Sequence, residues 1–250
     1  MFKISTYETT MFKDVFDSIA KLVEEGIIKL EKNKGLTFTA ADKALISVIR
    51  LNILPTAFEE FELEKDVESI GVNLDELKTI LKRGTKKDKL TMYEESGKLV
   101  ILFENTAKRK FSMPILTLTE EELPNIDTLT FKAKAELSAD GFKKILDDAK
   151  QIADEIEIST DGNKIRFYAI GELSSLDIEI ERGQDILFDL QAEENSKARY
   201  PLDYLVAMSK VSKVADTVII QWATDYPIKL TFKETDRLIL DFVVAPRATE

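Results

Sequence analysis

The clearest pattern along the chain is an apolar stripe at helical spacing that occurs twice. Phe12, Val15, Phe16, Ile19 and Leu22 follow the i, i+3, i+4, i+7 rule, and so do Phe142, Ile145, Leu146, Ala149 and Ile152. Each set predicts a helix with one buried face. The polar positions also agree: Phe12-Lys13-Asp14-Val15-Phe16-Asp17 reads like Phe142-Lys143-Lys144-Ile145-Leu146-Asp147. Alternating positions around a turn signal follow each stripe, at Asn33-Lys34-Gly35 and at Asp161-Gly162-Asn163, which predicts hairpins. A second pair of helices stands at nearly the same offset. Asn73-Leu74-Asp75-Glu76-Leu77 with Ile80, Leu81 and Lys82 matches Pro201-Leu202-Asp203-Tyr204-Leu205 with Met208, Ser209 and Lys210. Asn73 suits an N-cap and Pro201 a first helical position. Strand patterns follow at 89–94 and 99–104, and again at 217–223 and 228–233.

Two matching pairs in the same order predict a duplicated chain. Each half then runs helix, strands, helix, strands, giving two α+β domains of similar shape. The stretch Pro114 to Leu129 has two prolines, Thr117, Thr119 and the triplet Glu120-Glu121-Glu122, with no helical stripe. It reads as an extended surface connector. The expected division is a domain over 1–113, a connector over 114–129 and a second domain over 130–250.

Composition removes most catalytic chemistry. Cys and His are both absent from the 250 residues, which excludes disulfides, thiolate zinc sites, Cys nucleophiles and any imidazole base. A carboxylate-based metal enzyme such as a nuclease stays open. However, the acidic triplet and the acidic strand positions lack a coherent ligand spacing, and no phosphate-cradling Gly-rich loop or Walker pattern is present. No catalytic residue, metal or cofactor is expected. No apolar run is long enough to span a membrane, and Met1-Phe2-Lys3-Ile4-Ser5 lacks the core of a signal peptide. A cytoplasmic, intracellular protein without membrane contact is expected.

Charge at first argues against nucleic acid, because 35 Lys and Arg face 46 Asp and Glu for a net −11, and such a body repels phosphate. Its distribution changes the picture. The helices with their exits carry +3 over 72–89, +3 over 196–213, +1 over 141–150 and zero over 11–21, leaving −18 elsewhere. Lysines complementing a helix C-terminus explain Lys82, Arg83, Lys210 and Lys213 equally well. A repeated sign in both halves favours a shared basic surface that contacts phosphates without reading sequence. Two strand candidates differ in the same way. Ala107-Lys108-Arg109-Lys110-Phe111-Ser112 is basic, whereas Gly171 to Glu181 is studded with Glu172, Asp177, Glu179 and Glu181. Edge blunting accounts for either alone. Opposite signs in different halves suggest head-to-tail pairing between copies, which closes into a ring if the rotation permits.

These residues resemble the DNA polymerase sliding clamps of archaea and eukaryotes, the proliferating cell nuclear antigen family. The resemblance runs from Met1-Phe2-Lys3 through Gly71-Val72-Asn73-Leu74 with Leu77, Ile80, Leu81 and Lys82, then Gly171-Glu172-Leu173, to Ala245-Pro246-Arg247. It implies a trimeric ring of duplicated clamp domains, with antiparallel sheets outside and helices lining a hole threaded by double-stranded DNA. By that resemblance Lys13, Lys82, Arg83, Lys143, Lys144, Lys150, Lys210 and Lys213 face DNA. Lys108, Arg109 and Lys110 would meet Glu172, Asp177, Glu179 and Glu181 of the next copy. A front pocket under the connector would take the short docking peptide of DNA polymerase, clamp loader, flap nuclease or DNA ligase. Matching positions are Ala41, Asp42, Ile46, Leu118, Leu123, Pro227, Val243, Val244, Ala245 and Pro246. The sequence departs from the family where Ala41 replaces a frequent Met and where Val243-Val244 replaces a larger pair. Sister clamp chains completing a mixed trimer, and a peptide-binding scaffold without a DNA role, remain open beside the homotrimer.

Overall fold

A computed structural model of the chain describes residues 1–120 and 122–248; Glu121 of the acidic triplet lies outside the described residues. The first half runs β1 (Phe2–Thr6), α1 (Thr9–Ile19), β2 (Glu25–Glu31), β3 (Gly35–Ala41), β4 (Ser47–Ile53), β5 (Glu60–Leu63), β6 (Val67–Asn73), α2 (Leu74–Leu81), β7 (Lys89–Glu95), β8 (Lys98–Glu104) and β9 (Lys108–Pro114). The second repeats that order with β10 (Ala133–Ser138), α3 (Ala139–Lys150), β11 (Glu155–Thr160), β12 (Lys164–Ile170), β13 (Ser175–Glu181), β14 (Leu187–Ala192), β15 (Ser196–Pro201), α4 (Leu202–Ser209), β16 (Thr217–Trp222), β17 (Ile228–Glu234) and β18 (Leu238–Val244). The duplication is therefore complete at the level of elements. Each half opens on a strand, not on the helix that the periodicity marks. The mixed fold is α+β, with antiparallel pairing at every described register.

The helices form where apolar spacing and caps agree. Within α1, Phe12, Val15, Phe16 and Ile19 are buried, and within α3 Phe142, Ile145, Leu146 and Ala149 are. Asn73 accepts a hydrogen bond from the Glu76 N–H at 2.9 Å and Ser138 one from the Gly141 N–H at 3.2 Å, so α2 and α3 are side-chain capped. Pro201 ends β15 and occupies the cap position of α4, one residue before the helix begins. Leu22 and Ile152 lie past the ends of α1 and α3, in tight turns closed by their own N–H groups onto Ile19 and Ala149. Helix α1 packs beside α2, and α3 beside α4.

Two compact units emerge. The first comprises 1–41, 49–123 and 234–240, and the second comprises 42–48, 124–233 and 241–250. Short segments thus cross over in sequence, and hydrogen bonds within each unit explain why. The 42–48 loop is held by Tyr204 and by the Ala245 N–H on the Ile46 carbonyl at 2.9 Å. The 234–240 segment is held by the Leu54 N–H on the Arg237 carbonyl at 2.8 Å and by Arg237 on Glu8 at 2.6 Å. In the first unit a five-stranded sheet has the order β5-β1-β7-β8-β9, and in the second a four-stranded sheet has the order β13-β12-β11-β15. The basic β9 and the acidic β13 are thus both edge strands.

The segment after β9 is fixed within the first unit. The Leu116 N–H donates to the Gly71 carbonyl at 2.8 Å, and Lys29 pairs with Glu120 at 2.9 Å. A Cβ at Gly71 would stand 2.2 Å from the Leu116 carbonyl oxygen, so only glycine permits this approach. Gly71→Ala is expected to detach residues around Leu116, to cost about 1–3 kcal/mol of stability as overpacking does, and to speed proteolysis within 115–123. Unchanged denaturant midpoint and proteolysis would show that the contact does not hold residues 115–123.

Candidate functional site

Burying one stripe of each helix leaves the charged residues on the other face. The exact helical segments change the charge count. Residues 9–19, 74–81 and 202–209 each carry −1, and residues 139–150 are neutral. Lys197 and Arg199, which enlarged the count over 196–213, stand on strand β15 and not on a helix. The basic excess instead follows the helices, at Lys82, Arg83, Lys86 and Lys87 after α2 and at Lys210 and Lys213 after α4. Lys86 and Lys87 were not among the sequence candidates; their signal was a Lys-Lys pair just beyond a helix end.

Several candidate lysines are ion-paired along or between helices. Lys143 pairs with Asp147 and Lys144 with Asp140, the latter at 2.8 Å. Lys150 bridges Asp154 at 2.6 Å and Asp203 of α4 at 3.0 Å, and Lys82 reaches Asp17 of α1 at 2.7 Å. Lys13 lies 3.9 Å from Asp14. Lys144 donating to Asp140, and Lys150 donating to Asp154 and Asp203, raise both ammonium groups above the ordinary lysine value. Among the described residues Arg83, Lys210 and Lys213 have no ion pair.

The two edge strands carry their charges differently from the sequence expectation of free opposite signs. Lys108 pairs with Glu104 at 2.9 Å and Lys110 with Glu95 at 2.5 Å. Arg109 turns back into its own unit, donating to Asp88 at 2.7 Å and to the Arg83 carbonyl at 2.8 Å. On the acidic edge Arg166 grips Asp177 through two bonds of 2.7 Å, and Lys164 pairs with Glu179 at 2.7 Å. Glu172 and Glu181 remain exposed. What the edges present, beyond charge, is backbone donors and acceptors with half-buried Phe111 on one strand and Leu176 and Ile178 on the other.

The remaining candidates divide between the units. Ala41, Leu118 and Leu123 belong to the first and are partly exposed. Asp42, Ile46, Pro227, Val243, Val244, Ala245 and Pro246 belong to the second. There Ile46, Pro227, Ala245 and Pro246 are partly exposed, whereas Val243 and Val244 are 6% and 0% exposed and pack as β18 core. Asp42 is a buried organiser of its loop. Its Oδ1 accepts from the Ser47 N–H at 2.5 Å and the Ser47 hydroxyl at 3.1 Å, and its Oδ2 from the Ala44 N–H at 3.1 Å and the Tyr204 hydroxyl at 3.0 Å. These bonds present Leu45, 65% exposed with a left-handed φ of 54°, at the loop tip. Neither Tyr204 nor Leu45 was singled out from the sequence, because nothing local marks a tyrosine 162 residues away as a partner of Asp42. Among the described residues no three carboxylates gather as a possible cation site, and no helix is long and apolar enough to cross a membrane.

Comparison with known proteins adds the decisive observation. The profile of the proliferating cell nuclear antigen N-terminal domain matches residues 1–124, and that of the C-terminal domain matches 125–247. The chain belongs to the proliferating cell nuclear antigen family of sliding clamps. It is 32% identical to the DNA polymerase sliding clamp of Nanoarchaeum equitans over 98% of this chain and 99% of that one. It is 33% identical to DNA polymerase sliding clamp 1 of Thermococcus kodakarensis over 96% and 95% of the two chains. Among solved structures, the proliferating cell nuclear antigen of Thermococcus kodakaraensis superposes with a TM-score of 0.90 at 23% identity, covering 99% of this chain and all of that one. A chain of the Sulfolobus tokodaii PCNA2–PCNA3 complex superposes at 0.91 with 26% identity, over 99% and 100%. The family is one of processivity factors, not of enzymes.

Within this clamp chain Asp42 supplies a pH-dependent element. Burial raises its carboxyl, but the bonds from Ser47, Tyr204 and Ala44 outweigh burial and hold it below the ordinary aspartate value. Its contribution to stability is therefore complete above the ordinary range of about 3.9 and is lost as pH falls through the depressed folded value. Asp42→Asn is expected to destabilise by about 1–3 kcal/mol, the scale of a broken buried hydrogen-bond set, and to remove that part of the acid dependence. Denaturant unfolding at neutral and acid pH checks both, and a loss that does not shrink with acid would contradict the assignment.

Proposed function

We propose that this chain is a sliding clamp subunit that closes with two further copies into a ring around duplex DNA and tethers replication and repair enzymes there. The domains are 1–113 and 130–250, with 114–129 as connector. Helix faces and helix ends present Lys13, Lys82, Arg83, Lys143, Lys144, Lys150, Lys210 and Lys213 to phosphates, without sequence readout. The observation that carries ring closure is the pair of unpartnered edges, β9 in one unit and β13 in the other. One chain thereby offers both halves of a head-to-tail contact, and such a contact propagates around a ring. Because most edge charges are already neutralised within each unit, backbone pairing and burial of Phe111, Leu176 and Ile178 supply the contact. The interface charges Lys108, Arg109, Lys110, Glu172, Asp177, Glu179 and Glu181 set direction more than strength.

DNA polymerase, clamp loader, flap nuclease and DNA ligase dock by a short peptide on the second unit, at Asp42, Ile46, Pro227, Ala245 and Pro246. Val243 and Val244 support this site from the core. Tethering acts by effective concentration, turning a dissociating encounter into an intramolecular one. The protein works in the cytoplasm, at the nucleoid. A mixed trimer with sister chains is the second reading, favoured by the two-chain Sulfolobus tokodaii complex among the structural neighbours.

The purified chain is expected to have a mass about three times 28.4 kDa by light scattering; a monomer that assembles only on adding a sister chain would establish the mixed trimer. Replacing Lys82, Arg83, Lys210 and Lys213 by Glu is expected to preserve that mass while lowering loader-dependent polymerase stimulation by about tenfold or more. Full stimulation by the variant would remove these residues from the DNA face.

A further inference from the structure

We propose that the aspartates on the helices act as internal counterions that withdraw most of the helical lysines from DNA, leaving phosphate contact to Arg83, Lys210 and Lys213 at the helix ends. The inference rests on the reading that the helices face duplex DNA, and it concerns how strongly they hold it.

The lysines that a sequence count assigns to DNA are not equivalent in the structure. Lys143 and Lys144 are each matched by an aspartate four residues away, on their own helix. Lys150 is matched twice, by Asp154 and by Asp203 across the helix pair. Of the eight candidate residues, Arg83, Lys210 and Lys213 have no ion pair among the described residues, and they follow α2 and α4, where the macrodipole already favours positive charge.

The duplication makes the division sharper. By the repeat offsets, Asp17 and Lys82 of the first half correspond to Asp147 and Lys210 of the second. In the first half Asp17 reaches across to Lys82 at 2.7 Å. In the second, Asp147 is engaged by Lys143 of its own helix, and Lys210 has no carboxylate partner among the described residues. The same pair of positions thus holds a neutralised lysine in one half and an available one in the other.

Exposed ion pairs are weak, so a phosphate can compete for any of these lysines. The exchange returns little, because it leaves an aspartate uncovered beside the phosphate that displaced it. Counterion release counts only charge that the protein neutralises, so paired lysines add little to affinity or to its salt dependence. A lining of this kind holds the duplex by enclosure and touches it through few cations, which suits a ring that has to move.

The test compares the assembled wild type with two variants, Asp17, Asp140, Asp147 and Asp203 all changed to Asn, and Arg83, Lys210 and Lys213 all changed to Gln. Affinity for a short blunt duplex is measured over a salt series after light scattering has shown unchanged mass. The aspartate variant is expected to bind about tenfold tighter at low salt, with the log–log salt slope steeper by about 0.9 for each phosphate newly engaged. The Arg83/Lys210/Lys213 variant is expected to bind more weakly with a flatter slope. Lys82→Gln should change wild-type affinity by less than about twofold, yet cancel a measurable part of the gain once Asp17→Asn is present. If the aspartate variant matches wild type while the Arg83/Lys210/Lys213 variant weakens, the counterion role is wrong and the DNA face stands. If neither variant differs from wild type, both assignments fall. Lys82→Gln weakening the wild type as much as Lys210→Gln does would also overturn the proposal.

Discussion

Everything else in this chain depends on one constraint, that each helix has a single apolar stripe and must bury it. In the first unit Phe12 and Phe16 stack at 6.2 Å and Phe58 meets Phe12 edge-on at 5.9 Å. In the second, Phe142 packs on Phe167 of β12 at 6.0 Å. Aromatic anchors of this size dominate core energetics and fix the rotation of a helix about its axis. Once that rotation is fixed, the charged positions of α1 and α3 can only face away from the sheet. Because α2 packs beside α1 and α4 beside α3, each unit exposes two charged helix faces side by side. The surface is a by-product of the core.

Charge is then managed at short range. The net −11 suggested segregation, with basic helices and acidic strands, and the structure replaces that with local neutralisation. Helical lysines face helical aspartates, β9 cations face carboxylates of their own sheet, and Arg166 and Lys164 of β12 cover Asp177 and Glu179 of β13. Among the candidate DNA-facing residues, those without an ion pair, Arg83, Lys210 and Lys213, stand at helix exits. A clamp that slides cannot hold phosphates strongly, and edge charges paired within their own unit leave the contact between edges to backbone pairing and burial. Neutralising both surfaces internally serves sliding and assembly together.

Much of this was legible from residue spacing. The paired stripes at Phe12 and Phe142 marked the duplication, and the Asn73 cap and the Gly35 and Gly162 turns placed elements correctly, because each depends on residues within a few positions. The opening strand β1 was not legible as a strand, whereas β10 alternates buried and half-buried positions throughout. In Phe2–Thr6 four of five residues are buried, which removes the alternation that marks a half-exposed strand. The 196–201 segment was absorbed into a helical charge count because Pro201 sits at the junction of β15 and α4. The crossing of 42–48 and 234–240 between the units was invisible, since it is fixed by partners such as Tyr204 for Asp42 and Leu54 for Arg237 that are remote in sequence. The division of the candidate cations into paired and available ones was only partly hidden: the partners of Lys143, Lys144 and Lys150 four residues away follow helical spacing, whereas Asp17 for Lys82 and Asp203 for Lys150 are remote in sequence.

The central claim is topological, that this chain holds DNA by surrounding it. The most direct measurement loads the protein onto a nicked circular duplex with its clamp loader, isolates the complex at high salt, and then cuts the circle once. Enclosure requires that the clamp stay with the circle and leave rapidly once the DNA has ends, with blocked ends restoring retention. Equal retention on circular and cut DNA at high salt, or equal loss from both, would contradict it.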